Sequence, residues 1–135
     1  VRPAKAPCKT CPYRRDVPSG VWAEEEYAKL PAYDGSTGEQ ALAGAAGLFM
    51  CHQQDGCLCA GWVGCHDMQE SLAVRLGIGA GLLSEEDVDA LLDYESPVPL
   101  FASGTAAAAH GMAEFDHPGA DAVKAIRRLS VRLTP

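Results

Sequence analysis

The chain has 135 residues, with 18 acidic against 11 basic side chains, a net charge of -7 and 47% hydrophobic residues. That length supports one domain with a modest core, in which a cross-link or a bound metal adds usefully to stability. The acidic balance argues against general binding to nucleic-acid phosphates, and no apolar run of about 18 residues is present to span a membrane.

In chain order, the C-x-x-C of Cys8 and Cys11 comes first, followed by Arg14-Arg15, a local basic pair expected to be solvated or paired with Asp16 and the glutamates 24–26. Ser19-Gly20-Val21-Trp22 leads into a predicted helix over 23–30, whose Glu24, Glu25 and Glu26 complement the positive helix start and whose Pro31 marks the stop. Beyond a turn-rich loop over 33–36, Thr37 and Gln40 have capping-box spacing ahead of a helix over 41–48 that Gly44 and Gly47 weaken. From 50 to 64 glycine and cysteine alternate without period, which predicts a loop wrapped around a bound group. Asp67 caps a helix over 68–76, ended by Gly77, Gly79 and Gly81.

Ser84 and Asp87 form a capping box for a helix that carries Val88, Leu91 and Leu92 up to Tyr94. The prolines of Ser96-Pro97-Val98-Pro99 impose an extended connector. Ser103 or Thr105 then opens an Ala-rich helix ending at His110, with Gly111 just past it. Pro118 stands near the start of a last helix with Ala122, Val123, Ile126 and Leu129 on one stripe and Arg127 and Arg128 near its negative end. The expected fold is mainly α, a small single helical domain over 1–135. It has an irregular Cys-rich metal- or cluster-binding lobe in 1–66 and a helical part in 67–135.

Chemistry concentrates in that first lobe. A thiolate holds a metal strongly when several others hold the same ion, and Cys8, Cys11, Cys51-His52, Cys57, Cys59 and Cys65-His66 supply eight soft or borderline ligands. Cys8 and Cys11 are the surest pair, because two intervening residues let the backbone fold around one ion. The second half-site comes from Cys51, Cys57, Cys59 and Cys65, with Cys51 and Cys59 the expected pair. Such a centre closes a loop of about forty residues and ties the N-terminal segment to the domain. Cys57 and Cys65 then remain as reduced thiols or complete a second site. Neighbours in sequence seldom point at one metal, so His52 is read as a donor to a sulfur or carbonyl and His66 as the start of the next helix. His117, before a proline, reads as a solvated turn residue, and Trp62 as a shield between the metal and water. Six cysteines also permit three disulfides in an exported protein. The C-x-x-C, the Cys-His doublets and the absence of a charged-then-apolar leader weigh against that and make the cytoplasm the expected location.

Cys8-Lys9-Thr10-Cys11-Pro12-Tyr13-Arg14, Phe49-Met50-Cys51-His52 and Cys59-Ala60-Gly61-Trp62 together resemble a pattern in small uncharacterised proteins of bacteria and bacteriophages. There, C-x-x-C-P-[FY]-R precedes a Phe-x-Cys-His step and a Cys-Ala-Gly step. The resemblance implies Cys8, Cys11, Cys51 and Cys59 as the shared ligand set, with Cys57 and Cys65 as additions.

A [4Fe-4S] cluster is the expected cofactor and Zn2+ the alternative. Pro12 after Cys11 resembles the Cys-Pro end of bacterial ferredoxin runs, and only one short Cys-x2-Cys knuckle exists where zinc ribbons pair two. The functional expectation is a redox, sensing or cluster-dependent role, and the alternative is a zinc-stapled structural or interaction module. An enzyme would use His52 or His110 as acid or base, with the Ser103-Gly104 turn holding an anion. The expected partner is an unidentified small molecule or protein, with neither nucleic acid nor membrane. No phosphate loop, H-E-x-x-H or Gly-x-Ser-x-Gly element occurs.

Overall fold

Arg2–Pro3 (β1) and Cys57–Leu58 (β2) pair in parallel, with Arg2 opposite Cys57 and Pro3 opposite Leu58. Leu58 also bridges antiparallel to Met50. The Cys51 N–H donates to the Cys57 carbonyl at 2.9 Å and the Cys59 N–H to the Phe49 carbonyl at 2.8 Å. Residues 49–59 therefore form a hairpin-like tongue with the N-terminal strand along one edge. The computed structural model describes residues 1–114 and 116–133, with side chains through Ser130.

The tongue is surrounded by helices, so the fold is mainly α among the described residues. They are α1 (Glu24–Ala28), α2 (Thr37–Leu42), α3 (Ala60–Cys65), α4 (Leu72–Gly79), α5 (Glu85–Asp93), α6 (Gly104–Met112) and α7 (Ala120–Leu133). A 3-10 turn at Leu30–Tyr33 follows α1.

Serine hydroxyls set four of the helix starts. Ser36, Ser71, Ser84 and Ser103 each accept the N–H three residues on, an interaction typically worth about 1 kcal/mol. The predicted Ser84–Asp87 capping box is present at α5. At α2 the cap is Ser36, whose N–H Glu39 accepts in return, rather than Thr37. Ser-x-x-Glu offers the reciprocal pair one residue earlier, so the helix begins at 37 and ends before Gly44, whose φ of 77° suits a helix exit. Asp67 does not cap α4, since its carboxylate takes the Gln69 N–H in a turn and Ser71 caps instead. Pro31 opens the 3-10 turn instead of ending a helix, in keeping with the tolerance of proline for a first turn.

Glycine misleads at two further places. Gly77 lies inside α4, packed so that a Cβ would stand 3.2 Å from Leu83, and Gly111 lies inside α6 rather than beyond it. Along α6, Gly104, Ala107, Ala108 and Gly111 are buried at i, i+3, i+4, i+7 spacing, which lets this helix close onto α1 and the 3-10 turn. α7 lies against Val17 and Val21 through Ala122 and Leu129, with Ile126 half-buried and Val123 exposed. It runs on to Leu133, so Arg127 and Arg128 stand in its middle.

Gly104 carries the tightest backbone approach on the α6 stripe. A Cβ there would overlap the Leu30 carbonyl oxygen and come within 2.7 Å of the carbonyl carbon, which a backbone cannot yield cheaply. Gly104→Ala is expected to destabilise the fold by about 2–3 kcal/mol in urea denaturation. Gly38→Ala, on an exposed helix turn, should be neutral or stabilising by about 0.5 kcal/mol.

Candidate metal centre

Cys8 and Cys11 sit on a turn in which the Cys8 carbonyl accepts the Cys11 N–H at 3.0 Å, and the Cys11 carbonyl then accepts the Arg14 N–H at 3.1 Å. This turn follows the segment that β1 holds against the tongue. Within the tongue, the two-residue pleat of paired strands puts Cys51, Cys57 and Cys59 on one side, with Cys51 opposite Cys57. Cys11 is 1% and Cys59 4% exposed, with their sulfurs 3.8 Å apart. Cys59 also caps α3, its sulfur accepting the Trp62 N–H at 3.4 Å, and Cys51 Sγ accepts the Gln54 N–H at 3.3 Å.

The thiols perturb one another in sequence. The neighbouring Cys11 sulfur pushes Cys8 far above the ordinary thiol range, with burial adding to it. Cys59 does the same to Cys11, and Cys51 is raised by burial and then by Cys8. Cys51 thus feels Cys8, Cys8 feels Cys11 and Cys11 feels Cys59. Among the described residues, no group of three or more His, Cys, Asp or Glu side chains is arranged to hold an ion. The donor chemistry nonetheless suits a thiophilic metal, because metal binding displaces thiol protons and draws the deprotonated sulfurs together. Gly61 completes the cradle. A Cβ at Gly61 would collide with Cys11 Sγ and stand 2.8 Å from Tyr13 Cβ, so the glycine of Cys-Ala-Gly makes room for the partner sulfur.

The remaining candidates have other partners. Cys57 lies in β2 opposite Arg2. Cys65 ends α3, its thiol pushed up to about 12 by burial and by the Asp34 carboxylate. The expected sulfur or carbonyl partner of His52 is replaced by Glu26 at 2.8 Å, with the ring against Trp22 at 4.9 Å. His110 Nε2 bonds the Val17 carbonyl at 2.7 Å from the last turn of α6, and His117 is exposed. Arg14 pairs with Asp16 at 2.7 Å, while Arg15 lies over the Phe101 ring. Trp62 is buried as expected, although its Nε1–H and the Tyr13 hydroxyl have no hydrogen-bond partner.

Asp34 was not legible as a site residue. Its carboxylate accepts the N–H groups of Gly104 and Thr105 at 2.7 and 2.8 Å, the Thr105 hydroxyl at 2.7 Å, and His66 Nε2 at 3.0 Å. The anion held at the Ser103-Gly104 turn is thus the chain's own side chain. His66, expected to open a helix, closes α3, with Nδ1 2.9 Å from the Trp62 carbonyl.

A family model described as a family of unknown function (DUF6283) matches residues 3–129. The chain belongs to this family. Comparison with curated proteins and with solved structures finds no match in either set.

Two expectations follow for this family member. Gly61→Ala forces Cys11 or Tyr13 to move and should lower stability by about 1–3 kcal/mol in chemical denaturation, with loss of any metal bound at the thiols. Burial raises the Asp34 pKa, but the Thr105 hydroxyl, two backbone N–H groups and His66 outweigh it and hold the carboxyl below its ordinary value. Its stabilising contribution is complete above an unfolded pKa of about 3.9 and disappears as pH falls through the lower folded value. Asp34→Asn should therefore cost about 1–3 kcal/mol at neutral pH and flatten acid unfolding below about pH 4.

Proposed function

We propose that Cys8, Cys11, Cys51 and Cys59 bind one metal centre, and that the protein is a small metal-thiolate module in which this centre staples the N-terminal segment to the 49–59 tongue. The observation that carries this reading is the 3.8 Å approach of the buried Cys11 and Cys59 sulfurs, with the turn that places Cys8 beside Cys11. A zinc ion with Zn–S bonds of about 2.3 Å sets tetrahedral sulfur–sulfur edges of about 3.8 Å. The Cys11–Cys59 spacing of 3.8 Å is compatible with such an edge. Bound there, zinc contributes folding free energy, because the site brings together segments far apart in sequence.

A [4Fe-4S] cluster with a redox or sensing role is the second reading. Its four thiolates stand on separate irons and spread wider than those sharing one ion. Two observations favour it. The sulfurs of Cys51 and Cys59 already accept backbone N–H groups, a feature that tunes cluster potential. Cys51 also lines an open basin of about 290 Å³ with Lys29, Phe49 and His52, which would give a redox partner or oxidant access to a cluster held there.

Anaerobic purification with metal analysis and an absorption spectrum separates the two. About one zinc in a colourless protein supports the staple, and about four irons and sulfides in a brown one supports the cluster. Cys11→Ser and Cys51→Ser should abolish metal content and collapse thermal stability, while Cys65→Ser retains the metal. Equal losses at all six cysteines would contradict the ligand set.

A further inference from the structure

We propose that Cys51 and Cys57 are an oxidation site, a dithiol that closes to a disulfide across the tongue when it meets a peroxide. The pair stands on the antiparallel ladder of the tongue. The Cys51 N–H donates to the Cys57 carbonyl at 2.9 Å and the Cys59 N–H to the Phe49 carbonyl at 2.8 Å, on either side of the Met50–Leu58 bridge. Opposed residues on such a hydrogen-bonded rung have Cα atoms about 5.5 Å apart and side chains on one face. That lies inside the roughly 4.4–6.8 Å that disulfides span. The turn between them keeps the two in place, since the Cys57 N–H donates to the Gln54 carbonyl at 3.3 Å and Gly56 takes a φ of 74°. The backbone has therefore closed the loop before the sulfurs bond.

Access separates this pair from the other thiols. Cys11 and Cys59 bring their sulfurs to 3.8 Å, but at 1% and 4% exposure they are shut away from solvent. Cys51 and Cys57 are both half-buried, and Cys51 lines the open basin beside Lys29 and His52. A small oxidant in solution reaches this face of the tongue.

The chemistry balances with hydrogen peroxide as oxidant. One sulfur of the pair takes a peroxide oxygen, the O–O bond breaks, and a sulfenic acid and one water result. The other sulfur displaces that hydroxyl as a second water, and the S–S bond forms. Two thiols give up two electrons and two protons, and the peroxide leaves as the two waters. Cys51 also belongs to the proposed four-thiol centre. Resting on that reading, the new bond removes one ligand and releases the metal, and a thiol reductant restores both states because exposed disulfides are labile.

The test treats the intact chain with hydrogen peroxide, alkylates the remaining thiols and cleaves before Asp55, a cut that parts Cys51 from Cys57. Mass spectrometry should find the two peptides linked through these cysteines, and dithiothreitol should separate them. Metal followed in the same samples should be lost as the link appears. Cys57→Ser should start with the metal content of the parent chain and lose the link. A parent chain that forms the bond yet held no metal supports the pair and refutes the four-thiol centre. The absence of any disulfide, a first disulfide at Cys11–Cys59 or Cys8–Cys51, or a Cys57→Ser chain lacking the metal its parent holds overturns the proposal.

Discussion

Cys11 reaches the interior because Gly61 presents no side chain to it. With its sulfur lodged against the α3 backbone and 3.8 Å from Cys59, the knuckle at the start of the chain is pinned to the tongue in the middle. Much of the first half of the fold depends on that contact. β1 is only two residues long, and its parallel pairing with β2 is too short to hold the N-terminal segment by ladder hydrogen bonds alone. Burial of Cys11, Tyr13 and Leu58 in one core supplies the rest. A metal at the same thiols would reinforce a connection that packing has already established.

On the far side of α3, Asp34 performs a comparable task with charge. One carboxylate receives the first N–H groups of α6 and the imidazole of His66, and so joins the 3-10 turn, the end of α3 and the start of α6. An acid at a helix N-terminus is favoured by the aligned peptide dipoles, and here the arrangement also consumes the anion-binding capacity of that helix start. The buried stripe of Gly104, Ala107, Ala108 and Gly111 then lets α6 pack closely on Tyr27 and Leu30. The two halves of the domain are thus joined by polar contacts at one end of α6 and close small-residue packing along it.

Between these anchors the core carries a polar burden. Tyr13 is wholly buried, and its ring stands edge-on to both Phe49 and His66, linking the thiol region to the Asp34 pair. Its hydroxyl and the Trp62 indole N–H lack partners, in a domain whose other buried polar side chains, such as Gln40 with three hydrogen bonds, are well satisfied. Buried donors are costly when unpaired, so these two groups weigh against the packing gained by burying their rings.

Composition, helix-capping serines and local pattern determined the helical class and the α5 start, and the spacing of cysteines marked the knuckle at 8–11. Those signals are local, or rest on chemistry that few other residue types can perform. Tertiary structure alone decided that α3 forms within the Cys-rich stretch and that Gly77 and Gly111 lie inside helices. Residues 60–65 have little periodicity to read, and a glycine's cost in a helix is outweighed when a neighbour such as Tyr27 occupies the space of its missing Cβ. The roles of Asp34 and His66 were equally hidden, because the partners of Asp34 lie 32 to 71 residues away and long-range hydrogen bonds leave no periodic mark on a sequence.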